Sequence, residues 1–492
     1  MIDGLGPYPA YRDSGVPWLG RMPEHWEVRR LRNVAEMRVS SIDKHTTDGE
    51  EPVRLCNYVD VYKNERITER LKFMRATAST AEIKRFRLER GDVLLTKDSE
   101  SWTDIAIPSL VEHTAPDLVC GYHLALLRPY VGIMRGAYLL RATQSRGVAY
   151  QFHIEANGVT RYGLSHSAIK SIVLPVPSDD EQLAIARFLN HADRRIRRYI
   201  RIKQKLIALL EEQKQAIIQQ AVTRGLDPNI PLKPSGISWL GEIPTHWSVI
   251  LLGRCLASIE QGWSPVAASG EIEADQWAVL TLSAVKRGRF DPAAIKPIRR
   301  DAEVPSQFEV ELGDLLLTRS NTRERVGDAC VVDAVRQKTI LCDLIYRLRL
   351  NQDRVVPDFL CLQLLSPFGR RQIEQDARGS SDTMPKIAQR HIRAWWSLVP
   401  PVPEQHEIVE SVASRTAELD VVVKRANQEV ALLREYRTRL FADVVTGQLD
   451  VRAAAAALPD EPDASDPLDD VTDIDDPADE DDATDNSEPA TQ

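Results

Sequence analysis

The chain carries one pattern twice. Ser14-Gly15-Val16-Pro17-Trp18-Leu19-Gly20 runs on through Pro23, His25 and Trp26. Ser235-Gly236-Ile237-Ser238-Trp239-Leu240-Gly241 runs on through Pro244, His246 and Trp247, 221 residues later (235 − 14). Further echoes keep the same order. Gly91-Asp92-Val93-Leu94-Leu95-Thr96-Lys97 matches Gly313-Asp314-Leu315-Leu316-Leu317-Thr318-Arg319, and Pro175-Val176-Pro177 matches Pro401-Val402-Pro403. Thr223 through Leu226-Asp227 matches Thr446 through Leu449-Asp450. A duplication of this length predicts two equivalent domains and an internal pseudo-two-fold, not one large fold. Two like units on one chain suit a partner that itself presents two sites.

The net charge of −9 conceals the character of the body. Asp460 to Gln492 holds 15 Asp and Glu and no Lys or Arg; removing those 15 from 72 leaves 57 acidic against 63 basic residues, a remainder near +6. A mild positive excess allows a nucleic-acid partner without requiring one. The Asp-, Pro- and Ala-rich ending cannot bury a core and reads as a disordered tail, either a solubiliser or a phosphate mimic restraining a basic groove. Six cysteines (Cys56, Cys120, Cys255, Cys330, Cys342, Cys361) form no CxxC pair and have no His at zinc-ligand spacing. They read as reduced thiols of a cytoplasmic protein. Neither a signal peptide nor a run of about 18 apolar residues is visible, so no membrane partner is expected.

Each unit opens with short apolar runs cut by Gly, Pro and Asp, which read as strands. Each ends in a long helical pattern. Steps of four and three from Ile185 select Leu189, Ala192, Ile196, Tyr199, Lys203, Leu206, Leu210, Gln213 and Ile217. The matching series from Ile408 selects Val412, Arg415, Leu419, Val422, Ala426, Glu429, Leu433, Tyr436 and Leu440. Two heptad seams in matching register predict a coiled coil between the helices rather than two separate core stripes. Arg194, Arg195, Arg197, Arg198, Arg201, Lys203 and Lys205 crowd the first helix. That run reads as a solvated face, or as a contact for phosphates or an acidic surface.

One further set of blocks is specific. Asp13 to Gly20 with Pro23-Glu24-His25-Trp26-Glu27-Val28, Glu211-Glu212-Gln213-Lys214-Gln215-Ala216-Ile217-Ile218 with Ala221 to Pro228, and Gly313 to Ser320 together resemble the DNA-specificity subunit of Type I restriction–modification systems, over roughly residues 10 to 452. The resemblance implies an α+β fold with two tandem strand-rich target recognition domains, each reading half of a bipartite double-stranded DNA target. Their expected bounds are 1–178 and 229–403, with spacer helices at 179–228 and 404–452 pairing antiparallel and the disordered acidic tail at 453–492. It implies two adenine-N6 methyltransferase (M) subunits docked on the helices, and restriction/translocase (R) subunits joining for cleavage. It also implies a chain that binds no cofactor, with S-adenosylmethionine, ATP and Mg held by the partner subunits. The residues agree that chemistry lies elsewhere: no Asn-Pro-Pro-Tyr run, GxxxxGK[ST] loop, GxSxG, HExxH or clustered metal-ligand set occurs. Asp179, Asp180 and Glu181 read as first-turn carboxylates favoured by the helix dipole.

Reading bases requires donors and acceptors at base edges, supported by cations on phosphates. The best candidates follow the Gly-Asp strands. They are Lys97, Ser99, Ser101 and Trp102 in the first unit, and Arg319, Ser320, Asn321, Arg323 and Arg325 in the second. Both segments begin with a cation after Thr and then diverge, as domains reading different half-sites must, although any surface loop diverges too. Arg161 and Tyr162, set against Lys386, form a second pair, and Gln261 with Trp263 a third candidate. Trp18, Trp26, Trp239 and Trp247 are identical in both copies, so they read as packing, with His25 and His246 as structural neighbours. Two readings from other classes stay open: a stand-alone DNA-binding regulator or architectural protein, and a single-chain enzyme with an unfamiliar motif.

Overall fold

The computed structural model describes residues 5–266, 268, 270–377 and 384–459, so the expected acidic tail lies outside the described residues from 460 onward. Two compact units result: residues up to Lys203 with those from Glu429 onward, and Gln204–Gln428. Each holds one part of a central helix, Asp179–Arg224, and one part of a C-terminal helix, Val402–Val445.

The two units share a sheet plan. In the first, the strands run in the order Ala35–Val39, Leu124–Pro129, Val93–Thr96, Pro108–Val111 and Arg66–Ile67. In the second, they run Leu256–Gln261, Ile345–Leu350, Leu315–Thr318 and Ala329–Val331. Side chains alternate across a strand. Val93 and Leu95 therefore enter one apolar core and Leu94 another, while Leu315 and Leu317 are separated from Leu316 in the same way. A strand covered on both faces needs an unbroken apolar run, which both Gly-Asp blocks supply. The Asp of each block is buried and ion-paired. Asp92 meets Arg128 at 2.8 Å, and Asp314 meets Arg347 at 3.0 Å and Arg349 at 2.7 Å. A buried charge persists only when paired.

The repeated tryptophans are structural. Trp26 and Trp247 are wholly buried, and a buried indole N–H needs an acceptor. Trp26 Nε1 donates to Glu181 Oε1 at 3.3 Å, and Trp247 Nε1 donates to Glu404 Oε1 at 3.0 Å. His25 and His246 meet the same carboxylates at 2.9 and 2.7 Å. Each glutamate sits in the first turn of a long helix, where the dipole favours negative charge. The end of the other long helix closes the site. Gly447, at φ +76°, lies so close to Pro23 and Trp26 that a Cβ would stand 2.3 Å from the proline ring. Gly225, at φ +73°, occupies the same place beside Trp247 and Glu404. Trp18 packs on Gly147, and Trp239 lies 5.5 Å from the Phe368 ring.

In the first unit the segment Gly6–Tyr11 meets the segment that follows the C-terminal helix. Asp450 N donates to Gly6 O at 2.7 Å, and Tyr11 Oη donates to Gly447 O at 2.9 Å. A short helix, Arg452–Ala456, then buries Ala455 in the same core. The folded part thus continues past the expected boundary at 452.

The seam differs from expectation by one phase. The inward positions on the central helix are Leu189, Asp193, Ile196, Ile200, Lys203, Ile207, Leu210, Lys214, Ile217 and Ala221. On the C-terminal helix they are Val412, Thr416, Leu419, Val423, Ala426, Val430, Leu433, Arg437, Leu440 and Val444. Tyr199, Leu206, Val422 and Tyr436, expected inside, are exposed. Apolar residues stand side by side here, as in Tyr199-Ile200, Leu206-Ile207 and Val421-Val422-Val423. Counting them leaves the phase open by one residue.

Charges settle the register. In the first unit Arg437 meets Asp193 at 2.6 Å and Lys203 meets Glu429 at 2.6 Å, so the helices run antiparallel there. In the second, Lys214 meets Asp420 at 2.6 Å. Arg141, 1 % exposed, adds contacts to Asp193 at 3.2 Å and Glu65 at 2.9 Å. Burial alone would raise the Asp193 carboxyl, but Arg437, Arg197 and Arg141 hold it well below the usual range. Polar residues in an apolar seam cost stability and specify register.

Two outcomes test the seam and the tryptophan cluster. Val430→Ala removes a buried seam methyl pair and should cost about 1 kcal/mol, whereas Val422→Ala should stay within ~0.5 kcal/mol; urea unfolding compares them. Glu181→Gln should cost about 1–3 kcal/mol at neutral pH by weakening a buried hydrogen-bonded cluster. Burial pushes the Glu181 carboxyl up, yet hydrogen bonds from His25, Ser178 and Trp26 outweigh it and lower the value. The charge therefore stabilises the fold above the ordinary Glu range and ceases to do so as pH falls through the lowered value. Parent and variant unfolding curves, followed by tryptophan fluorescence, should converge in acid.

Candidate DNA interface

Both units build the same junction at the end of the Gly-Asp strand. In the first, Lys97 leaves the sheet with its backbone held on both sides: Lys97 N donates to His123 O at 2.9 Å, and Leu164 N donates to Lys97 O at 3.0 Å. In the second, Arg319 N donates to Leu344 O at 2.8 Å, and Ile387 N donates to Arg319 O at 2.9 Å. Three segments distant in sequence thus meet at one cation in each unit.

This junction unites candidates that the sequence left apart. Tyr162 pairs with Ser99 and Gly163 with Asp98 in an antiparallel ladder, which brings Arg161 and Tyr162 to the Lys97–Trp102 segment. Ser320 bridges Lys386 in the second unit. Gln261 ends its strand opposite Tyr346, the ring over which Arg319 lies at 6.0 Å. Trp263 stands apart from this group. Its N donates to Leu341 O at 3.0 Å and its side chain packs against Val279, Ile298 and Ile340, so much of its surface serves the core.

The side chains around the junctions differ. In the first unit they are aromatic. Trp102 is exposed and meets His153 edge-on at 6.1 Å, Tyr122 is exposed beside His123, and Lys97 lies 5.9 Å over the Tyr122 ring. Tyr58 and Tyr62, missed by the sequence reading, stack at 5.6 Å on a short helix, Tyr58–Lys63. Their i, i+4 spacing on a capped helix was the available signal. The Tyr62 hydroxyl donates to Asp104 at 2.7 Å; that bond and burial push its phenol up to about 12, so it remains a donor at neutral pH. Arg161 is exposed, Ser99 is buried, and Ser101 Oγ bonds Thr103. His123 adopts φ +69°, a conformation that side chains rarely take, and its Nδ1 meets Asp98 at 2.6 Å. Strain of this kind costs about 1–3 kcal/mol and persists where surrounding structure fixes it.

The second unit is cationic at the same place. Arg323, Arg325 and Lys386 are exposed, and Asn321 is half-buried with its Oδ1 accepting from Thr322 N. Ser320 is buried, and its hydroxyl finds no partner among the described residues. One junction with two chemistries suits two domains that read different sequences on a shared frame. Exposed aromatic faces and Arg forks are the groups that contact bases and phosphates. Among the described residues no group of three or more His, Cys, Asp or Glu is arranged to hold a metal ion.

The family described as the Type I restriction modification DNA specificity domain matches residues 23–212. The putative MjaX specificity subunit of Methanocaldococcus jannaschii is 23% identical over 438 residues, covering 88% of this chain and 96% of that protein. The EcoKI specificity subunit of Escherichia coli is 23% identical over 371 residues, covering 74% of this chain and 76% of its own length. The match to the EcoEI subunit of Escherichia coli, at 24% identity, spans 42% of this chain and only 35% of that protein. A solved chain from a study of complex assembly and conformational transition in a type I R-M system superposes with a TM-score of 0.59 at 15% identity, over 86% of this chain and 98% of its own. That likeness concerns the fold. In its duplicated units, its paired helices and these sequence matches, the chain is similar to the specificity subunits of type I restriction–modification systems.

Proposed function

We propose that this chain is the non-catalytic address of a type I restriction–modification complex. Each unit reads one half of a bipartite DNA target, and the long helices set the gap between halves and receive two adenine-methyltransferase subunits. Restriction subunits join that assembly, and S-adenosylmethionine, ATP and Mg act on the partner subunits. No helix among the described residues is long and apolar enough to cross a membrane.

One observation carries the reading: a shared three-segment junction presents Lys97, Trp102, Arg161 and Tyr122 in one unit, and Arg319, Arg323, Arg325 and Lys386 in the other. A regulator reading a symmetric site would need like chemistry at like positions. The exposed apolar residues on the helices support the docking role. In the first unit Tyr199, Leu432 and Tyr436 border an open groove with Leu433. Exposed apolar surface on a helix marks an interaction site.

Co-expression with a methyltransferase subunit of the same system, followed by single-molecule sequencing for N6-methyladenine, should yield a split motif with two defined halves and a fixed gap. Arg323→Ala should relax one half only, with a loss of about 1–3 kcal/mol if the guanidinium is bidentate to guanine. A uniform loss across sequences would assign it to phosphate instead. A stable complex that leaves no split motif would overturn the reading.

A further inference from the structure

One turn of the second unit is built on a residue that its backbone does not favour. Val285 pairs with Phe290 and Lys286 with Arg289, so Arg287 and Gly288 alone make the turn. Their φ angles are +32° and +87°. A two-residue turn with both angles positive matches the twist of its strands, and Asn, Asp or Gly fill its first place at least cost. An arginine there is strained, and such strain persists only where the surroundings fix it. Here they do. Val285 and Phe290 are buried with Leu316 and Cys330 in one apolar cluster. Gly288 N donates to Ala329 O at 2.8 Å. Arg289 meets Asp420 at 3.3 Å, a carboxylate that Lys214 shares at 2.6 Å. Burial pushes the Asp328 carboxyl up, against the charges of Arg287 and Arg370 and a hydrogen bond from the Arg287 backbone.

The Arg287 side chain is exposed and enters no ion pair among the described residues. Its neighbours share its sign. Asp328 closes the segment that starts at the Arg319 junction, with Asp328 N donating to Arg325 O at 3.0 Å, and Arg323 and Arg325 of that segment are exposed. The first unit builds the same edge otherwise. The strand beside Pro108–Val111, the counterpart of Ala329–Val331, is Arg66–Ile67, which pairs in parallel. Glu65, just before it, is engaged by Arg141 and Arg197. The cationic hairpin thus belongs to the second unit and not to the shared frame. A guanidinium fork matches phosphate oxygens, and a fixed turn presents it without the ordering cost of a mobile loop.

We propose that the hairpin turn at 286–289 is a DNA-phosphate site of the second unit, with the Arg287 guanidinium on a backbone phosphodiester. The choice of ligand rests on the DNA-address reading. Phosphate contacts fix register on the duplex and carry no sequence information, so this site positions the second unit while the Arg319 junction reads bases. Glycine, which the backbone prefers at 287, would leave no cation there.

The test uses the full chain and a mixed-sequence duplex. Arg287→Ala keeps the strain and removes the charge. At about 50 mM salt it should bind about fivefold more weakly than the parent, and the slope of log affinity against log salt should shrink by about 0.9, the value of one phosphate. Arg287→Lys should restore most of both. Arg287→Gly should lose the same affinity yet raise the urea midpoint, because glycine relieves the turn. Unchanged affinity and slope in Arg287→Ala would overturn the site, as would an affinity loss that merely follows a lower urea midpoint in every variant. With the methyltransferase subunits present, Arg287→Ala should leave both halves of the methylated motif unchanged; relaxation of one half would overturn the phosphate contact in favour of a base contact. Failure of the address reading would appear separately, as a parent complex that leaves no split motif while Arg287→Ala still lowers duplex affinity.

Discussion

A buried indole must give its N–H to something, and in this chain the acceptor is the first-turn carboxylate of a long helix. Glu181 and Glu404 each take the N–H of a wholly buried tryptophan and a contact from the preceding histidine. The same point receives a left-handed glycine from the end of the opposite long helix. Helix start, helix end and the Trp-bearing segment are thus fixed together in each unit. The most conspicuous repeated blocks of the sequence are the parts of this one contact. They recur because a buried donor leaves little freedom in what may surround it.

The seam shows how far two copies of one plan have diverged. In the first unit, the helices and the globular part share a buried ionic cluster of Arg141, Glu65, Asp193, Arg197 and Arg437. In the second, Thr416 stands where Asp193 would be, and Lys214 with Asp420 forms a smaller ion pair, which Arg289 joins at 3.3 Å. Charged pairs in low dielectric are costly to break one-sidedly. The first unit's register is therefore more strongly specified by charge, and the second's by an apolar cluster that includes Ile218, Ile408 and Val412.

Much of this was legible in the residues. Duplication, long paired helices, the structural role of the tryptophans and the absence of catalytic motifs all came from spacing and composition. Phase did not, because adjacent apolar residues such as Leu206 and Ile207 satisfy either count, and only a partner's charges choose between them. The junction was legible in pieces. Lys97 and Arg161 were separate candidates, and the ladder between Ser99 and Tyr162 that unites them depends on a pairing of short polar strands with no periodicity to read. Tyr58 and Tyr122 escaped for a similar reason. Their meaning comes from what the fold brings beside them.

The meeting of Gly6 with Asp450 has a consequence for synthesis. The second unit is one continuous stretch, Gln204–Gln428, complete while the C-terminal residues are still being added on the ribosome. The first lacks Leu440, Phe441, Val444, Val445, Val451 and Ala455 from its core until the C-terminal helix and the residues after it have been made. Domains usually fold in the order they are made, amino-terminal first. Here the first unit must wait for residues made after the second, its apolar faces open to chaperones or to aggregation in the meantime.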